Sequence, residues 1–189
     1  MKKTAKTLSL LFVALAAFAF APSTIKKIDV KESSIAWVGK KVTGQHTGTI
    51  NLKEGYLEMD GDAVKSGKFV VDMTSLTVTD LEAGKGKEKL EGHLNSDDFF
   101  GVANHPTATL NIKKGKVSGN THTLMGDITI KGETQPLTFD LVMNGNTGTA
   151  KVVIDRTKFG IRYGSGSFFD NLGDKAIYDD FELDITLKF

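Results

Sequence analysis

Apolar and polar residues alternate with a period of two along most of this chain. The clearest run is 181–189, where every odd position is apolar and every even position is polar. Successive side chains of a strand point to opposite faces, so this run predicts a strand with one buried face and one wet face. The same alternation is strong in 69–73, 108–112, 137–143 and 150–154. It is weaker in 35–42, 48–53, 56–60 and 124–131.

Short turn signals separate these runs. They are Lys53-Glu54-Gly55, Asp60-Gly61-Asp62, Lys114-Gly115, Lys131-Gly132-Glu133 and Asn144-Gly145-Asn146. Roughly eight to ten strands joined by hairpin-length links predict an all-β fold, either an antiparallel sandwich or a barrel. The chain shows neither a linker nor a repeat, which favours a single domain.

Two segments break the alternation. Residues 79–104 carry a helical signal, since Leu90 and Leu94 lie four apart with His93 beside them. Glycines at 84, 86 and 92 limit its length, so we expect a short helical excursion near residues 87–100, with Ser96 or Asp97 capping a second turn. The other segment, 158–180, has little periodicity and reads as a long loop that carries aromatic residues.

The first residues have the pattern of an export signal. Lys2, Lys3 and Lys6 precede the apolar run 8–20, and Ala17-Phe18-Ala19 is a cleavage pattern. This predicts a signal peptide over 1–19 and a mature domain over 20–189, with an uncleaved N-terminal anchor as the alternative. The run is shorter than the roughly 20 residues of a membrane span. The chain has no Cys, which excludes disulfides and a lipid-modified N-terminal cysteine.

Charge argues against two classes of partner. Lys and Arg total 24 and Asp and Glu total 23, with no basic block beyond short pairs. Nucleic-acid binding and charge-driven docking on an anionic membrane are therefore not predicted.

The richest polar segment is 92–105, which suggests a hydrolase that uses a metal or an acid. His93 with Asp97 and Asp98 would carry that chemistry. However, none of the four histidines of the chain (His46, His93, His105 and His122) lies in a ligand spacing such as H-x-x-x-H. Adjacent aspartates diverge on either a strand or a helix, so capping explains them better than a carboxylate pair does. We therefore predict no catalytic residue, no metal ligand and no cofactor, and keep the hydrolase as the alternative.

Arg156 follows a predicted strand and allows two interpretations. Its guanidinium group is a planar cation with several N–H donors and is suited to bind a phosphate. An ion pair with Asp155 or another neighbouring carboxylate explains it as well.

The number of large apolar residues decides whether a barrel could hold a ligand. An eight-stranded barrel is either filled by its own side chains or wide enough for one small ligand. A filled interior would suit a stress or adhesion module, and a hollow one would suit a binding protein. The alternation alone does not choose between them.

Several motifs together resemble the YceI-like family of exported, lipocalin-like proteins. They are Trp37-Val38-Gly39-Lys40, Gly44-Gln45-His46-Thr47-Gly48, Gly67–Met73, Leu90–Phe100, Pro106–Thr109, Gly126–Leu137 and Asp155–Ile161. The resemblance covers nearly the whole mature chain. It implies an antiparallel lipocalin-like barrel in the periplasm with a long polyisoprenoid lipid in an apolar cavity, and it does not imply catalysis.

We therefore expect a non-catalytic periplasmic protein that carries or sequesters an isoprenoid or other long-chain lipid, without stable membrane insertion, as a monomer or a homodimer. The alternation and the two irregular segments supply the candidate ligand-binding residues, which are Trp37, Phe69, Met73, Phe99, Phe100, Phe139, Leu141, Phe159, Phe168, Phe169, Leu183 and Ile185. Candidate contacts for a head group are His93 and Arg156.

Overall fold

The alternating runs become antiparallel strands in the computed structural model, which describes residues 23–189; the predicted signal peptide lies outside the described residues. The strands are β1 Thr24–Lys27, β2 Ser34–Lys41, β3 Gly44–Asp60, β4 Ala63–Val78, β5 Thr107–Ser118, β6 Thr121–Ile130, β7 Glu133–Asn144, β8 Thr147–Asp155 and β9 Ile177–Lys188. One α-helix, α1 Lys87–Asn95, lies between β4 and β5, and 3-10 helices occupy Arg156–Phe159 and Gly173–Lys175.

Eight of the strands close into a barrel. From β2 to β9 each strand pairs antiparallel with the next, and β9 pairs back with β2 through a register that sets Trp37 opposite Leu183. The short strand β1 is added beside β3. The barrel prediction and the single helical excursion are thus confirmed. The alternating apolar faces meet inside and form one continuous core, as the period of two requires.

Two of the five predicted turns are wrong. Lys53-Glu54-Gly55 and Lys114-Gly115 lie inside the continuous strands β3 and β5, where they coincide with shifts of register against β4 and β6. A bulge places an extra residue in a strand and bends it without ending it. The other three turns join β3 to β4, β6 to β7 and β7 to β8. At the second of them Lys131 (φ 51) and Gly132 (φ 81) are both left-handed, as a type I′ hairpin turn requires.

The barrel wall has a weak seam between β7 and β8. These strands share only three residue pairs, from Val142 with Thr149 to Asn144 with Thr147. Beyond them the strands separate, and the 3-10 helix that follows β8 packs against β7. Gln135 Nε2 donates to the Lys158 carbonyl across this region at 3.1 Å. Pro136, which lacks an N–H group, lies in the part of β7 that pairs with β6 but not with β8, where a proline is tolerated.

Helix α1 is fastened to the barrel by a carboxylate. Glu91 Oε1 accepts hydrogen bonds from Thr77 Oγ1 at 2.7 Å and from the Val78 N–H at 2.8 Å. The predicted capping of a second turn is corrected, because Ser96 ends α1 and its Oγ donates back to the His93 carbonyl at 2.7 Å. No helix within residues 23–189 is long and apolar enough to cross a membrane.

Candidate functional site

A cavity of about 140 Å³ lies inside the barrel beneath α1 and the turn that follows it. Its wall is hydrocarbon from β2, β3, β4, β5, β6, β8 and β9, and its ceiling is made by Leu94, Phe99 and Phe100. The wall residues are Ile35, Trp37, Gly39, Ile50, Val71, Met73, Leu76, Ala108, Ile128, Ile130, Ile154, Ile177, Phe181 and Leu183.

The ceiling is an ordered cluster of aromatic rings. Phe99 and Phe100 meet edge to face at 5.1 Å between centroids, and Phe100 meets Phe181 of β9 at 6.2 Å. The turn that carries them is held by backbone hydrogen bonds from the Phe99 N–H to the Ser96 carbonyl and from the Phe100 N–H to the Leu94 carbonyl. The irregular segment thus presents two phenylalanines to the cavity because its backbone is bonded to the end of α1.

Arg156 borders the cavity, but its side chain is hydrogen bonded to backbone carbonyls of the protein. Its side chain is 2% exposed. Nε donates to the Tyr178 carbonyl at 3.0 Å, Nη1 to the Ile161 carbonyl at 2.8 Å and Nη2 to the Ile177 carbonyl at 3.0 Å. Burial lowers the pKa of this guanidinium from its ordinary value, yet an arginine keeps its charge in a protein. Of the two interpretations of Arg156, the structure therefore supports a structural role for most of its donors.

The nearest carboxylate to Arg156 is Asp179, not Asp155. Arg156 Nη2 and Asp179 Oδ1 lie 3.7 Å apart. Burial acts to raise the pKa of Asp179, but hydrogen bonds from Ser165 and Ser167 and the charge of Arg156 outweigh it, so that the pKa is lowered. Asp155 instead accepts from the Thr157 N–H and hydroxyl at the start of the 3-10 helix. The buried cation thus already has a counter-ion.

The lining of the cavity includes exposed residues where the ladder between β2 and β9 is interrupted. Gly39 pairs with Phe181 and Lys41 pairs with Ile177, so residues 178–180 stand opposite Lys40 alone. Lys40, Tyr178 and Asp180 all border the cavity, and Tyr178 is 52% exposed. We call this gap, formed by Lys40 and residues 178–180, the rim.

The structure divides the twelve candidate ligand-binding residues into three groups. Those that border the cavity are Trp37, Met73, Phe99, Phe100 and Leu183. Those that pack in the hydrophobic core away from it are Phe69, Phe139, Leu141, Phe159 and Ile185. Phe168 and Phe169 are about half exposed and lie outside the cavity. Contact with a ligand remains a prediction for every one of them.

His93 and Asp97 make separate contacts in the structure. The His93 ring lies edge to face with Tyr163 at 4.4 Å and with Phe99 at 5.6 Å between centroids. Asp97 is held through its backbone carbonyl, which accepts from Lys131 Nζ at 2.6 Å. Among residues 23–189, no three His, Asp or Glu side chains come together in a way that could hold a metal ion. His93 supports the ceiling through Phe99 and does not border the cavity.

The sequence reasoning missed most of the aliphatic wall. Ile35, Ile128 and Ile130 lie in runs that were recognised only as weaker strands, and Ala108 was assigned to a strand without a role at the cavity. The rim was missed as well, because the interruption opposite Lys40 is a property of the pairing between two distant strands. A signal was present in Tyr178-Asp179-Asp180, where the strict alternation of β9 stops.

Comparison with known proteins gives consistent relatives. A model of the YceI-like domain matches residues 27–189. A UPF0312 protein of Staphylococcus epidermidis is 32% identical over 127 residues, which are 59% of this chain and 68% of that protein. Protein YceI of Escherichia coli O157:H7 is 29% identical over 120 residues, which are 63% of this chain and 61% of that protein.

Two solved structures share the fold at low sequence identity. Burkholderia cenocepacia BcnA matches with a TM-score of 0.67 and 21% identity over 85% of this chain and 98% of its own. A polyisoprenoid binding domain from Saccharophagus degradans, implicated in plant cell wall breakdown, matches with a TM-score of 0.61 and 14% identity over 85% and 95%. These likenesses establish the barrel architecture.

Proposed function

This chain belongs to the YceI-like domain family, and from that premise we propose that it binds the apolar chain of an isoprenoid-type lipid inside its barrel. The observation that carries the proposal is the hydrocarbon cavity beneath Phe99 and Phe100, whose lining extends to the exposed residues of the rim. A second line of support is the fold shared with a solved polyisoprenoid binding domain. The driving force is removal of the chain from water, which contributes about 0.8 kcal/mol for each buried CH₂ group.

The size of the cavity limits how much of the lipid enters this conformation. At about 140 Å³ it resembles the engineered cavity of about 150 Å³ that holds a benzene molecule. One end of a prenyl chain therefore fits, and a longer chain requires the core to move. Only three residue pairs join β7 and β8. Widening the barrel at this seam would therefore break fewer hydrogen bonds than widening it between any other two neighbouring strands of the barrel.

The place of action in this proposal is the periplasm, where the protein would carry or sequester the lipid. The support is the export pattern of the first nineteen residues. The proposed role is non-catalytic, in keeping with a site built from hydrocarbon and with an arginine whose donors are turned to backbone carbonyls.

The test is mass spectrometry of the lipid extracted from the protein purified from a host that exports it. We expect a prenyl lipid in stoichiometric amount from the wild type and several-fold less from Ala108→Leu, which fills part of the cavity. Ala36→Leu is the matched control, since it adds the same group to the exposed face of β2. An extract free of lipid, together with no response to added farnesol, would refute the proposal.

A further inference from the structure

The charges at the rim restrict which head group a lipid in this cavity can carry. The two cations that border the cavity are Lys40 and Arg156. The Lys40 ammonium is already ion-paired with Glu182, the outward-facing neighbour of Phe181. Arg156 donates to three backbone carbonyls and has Asp179 as its counter-ion. Both cations of the site thus have partners before any ligand arrives.

Three carboxylates at the rim or next to it outnumber those two cations. Asp180 borders the cavity, Asp179 precedes it in β9, and Glu182 follows. A diphosphate needs several charge-assisted hydrogen bonds from cations or clustered N–H groups. It would instead lie among carboxylates, and placing like charges side by side opposes binding.

An uncharged head group meets no such opposition. A hydroxyl or carbonyl oxygen can stay at the rim in contact with water, and the phenol of the half-exposed Tyr178 can donate a hydrogen bond to it. Inside the cavity the wall offers hydrocarbon, so the polar group has to remain at the rim while the prenyl chain enters.

We propose that the rim makes the site selective for prenyl lipids with an uncharged, oxygen-bearing head group, such as a prenyl alcohol, over prenyl diphosphates of the same chain length. This selectivity rests on the function proposed above and names the chemical class of its ligand. Two carboxylates determine this selectivity. Glu182 forms an ion pair with Lys40 and so keeps that ammonium from a charged head group, and Asp180 repels a diphosphate by its own negative charge.

The experiment compares farnesol with farnesyl diphosphate, which differ only in the head group. The sole tryptophan of the chain, Trp37, borders the cavity and reports binding by its fluorescence. We expect the alcohol to bind the wild type at least about tenfold more tightly than the diphosphate. In D180N/E182Q the affinity for the diphosphate should rise several-fold, and the affinity for the alcohol should stay unchanged.

The control is Asp184→Asn, which removes one carboxylate charge from the face of β9 that carries Asp180 and Glu182. Asp184 is paired with Lys151 and does not border the cavity. Equal binding of the two ligands, or tighter binding of the diphosphate, would overturn the selectivity and leave the proposed lipid binding intact. Failure of both ligands to bind would overturn the proposed function and this inference with it. A several-fold gain in diphosphate affinity in D184N would show a general charge effect and overturn the assignment to the rim.

Discussion

The guanidinium carbon of Arg156 lies 5.5 Å from the centroid of the Phe99 ring. A cation over an aromatic face is attracted by the ring quadrupole. The contact joins the end of β8 to the ceiling of the cavity, while the three hydrogen bonds of Arg156 join it to the start of β9 and to Ile161. One buried side chain therefore connects the end of β8 to three segments, which are the ceiling, the start of β9 and the residues around Ile161.

Replacement of Arg156 by Met should destabilise the fold by about 3–5 kcal/mol, because carbonyls that lose a buried charged donor are left unsatisfied. Lys at this position should rescue little, since a point cation cannot reach three carbonyls in the geometry of a planar fork. Urea unfolding measures both variants. Arg162→Met is the control, since Arg162 is exposed and stacks on Phe168, and its loss should cost no more than about 1 kcal/mol. A similar cost for the two Met variants would contradict this account.

Two glycines beside the same tryptophan should differ in their tolerance of alanine. At Gly48 an added Cβ would lie 1.9 Å from the Thr77 carbonyl and 2.4 Å from the Trp37 ring, whereas at Gly39 the nearest atom, also of Trp37, lies 3.9 Å away. We expect Gly48→Ala to cost about 1–3 kcal/mol or more through overpacking, and to shift the emission of Trp37. Gly39→Ala should change neither quantity. Unfolding curves and emission spectra of the two variants measure both effects. A G48A variant with unchanged stability and unchanged Trp37 emission would show that the contact between residue 48 and Trp37 is looser than described.

The faces of the strands could be predicted from the sequence, but the position of the cavity could not. A period of two tells which side chains of β7 and β9 point inward, and Leu141, Leu183 and Ile185 do so. It does not tell at what height along the barrel axis each one lies. That height depends on the register between strands distant in sequence, and only Leu183 of those three borders the cavity.

The errors at Lys53-Glu54-Gly55 and Lys114-Gly115 have a related cause. Both segments carry the local composition of a turn, and local chemistry alone favours a turn. The chain continues as a strand because the neighbouring strands β4 and β6 extend past it and accommodate the extra residue as a shift of register. β1 was missed for the opposite reason, since Thr24–Lys27 is too short and too rich in lysine to show a period.

The bond between Glu91 and the barrel should make stability depend on acidic pH. The hydrogen bonds from the Val78 N–H and then from Thr77 lower the pKa of Glu91 below its ordinary value of 4.5. A lowered pKa in the folded state means that the contribution is complete above the ordinary pKa and is lost as the pH falls through the lowered value. The difference in unfolding free energy between wild type and Glu91→Gln should therefore shrink below about pH 4.5.

The comparison of wild type with Glu91→Gln is needed because other carboxylates also contribute in acid. Hydrogen bonds from Ser66 and Lys65 lower the pKa of Glu58 to about 2, so the stability of either protein alone falls for several reasons. Glu82→Gln is the matched control, since Glu82 is exposed and pairs with Lys85. A difference between wild type and E91Q that stays constant from pH 7 to about pH 3 would show that Glu91 does not fasten α1 through its charged form.

The seam between β7 and β8 should be visible as fast amide exchange on one side of β7. Between Glu133 and Leu141 the strand pairs with β6 but not with β8, so about every second N–H there lacks a ladder partner. Strand β6 pairs with β5 and β7 over most of its length and serves as the internal control. Hydrogen–deuterium exchange followed by mass spectrometry should show less protection for 133–141 than for 121–130. Bound lipid that widens the barrel should increase this contrast, whereas equal protection of the two strands would show that the wall does not open at this seam.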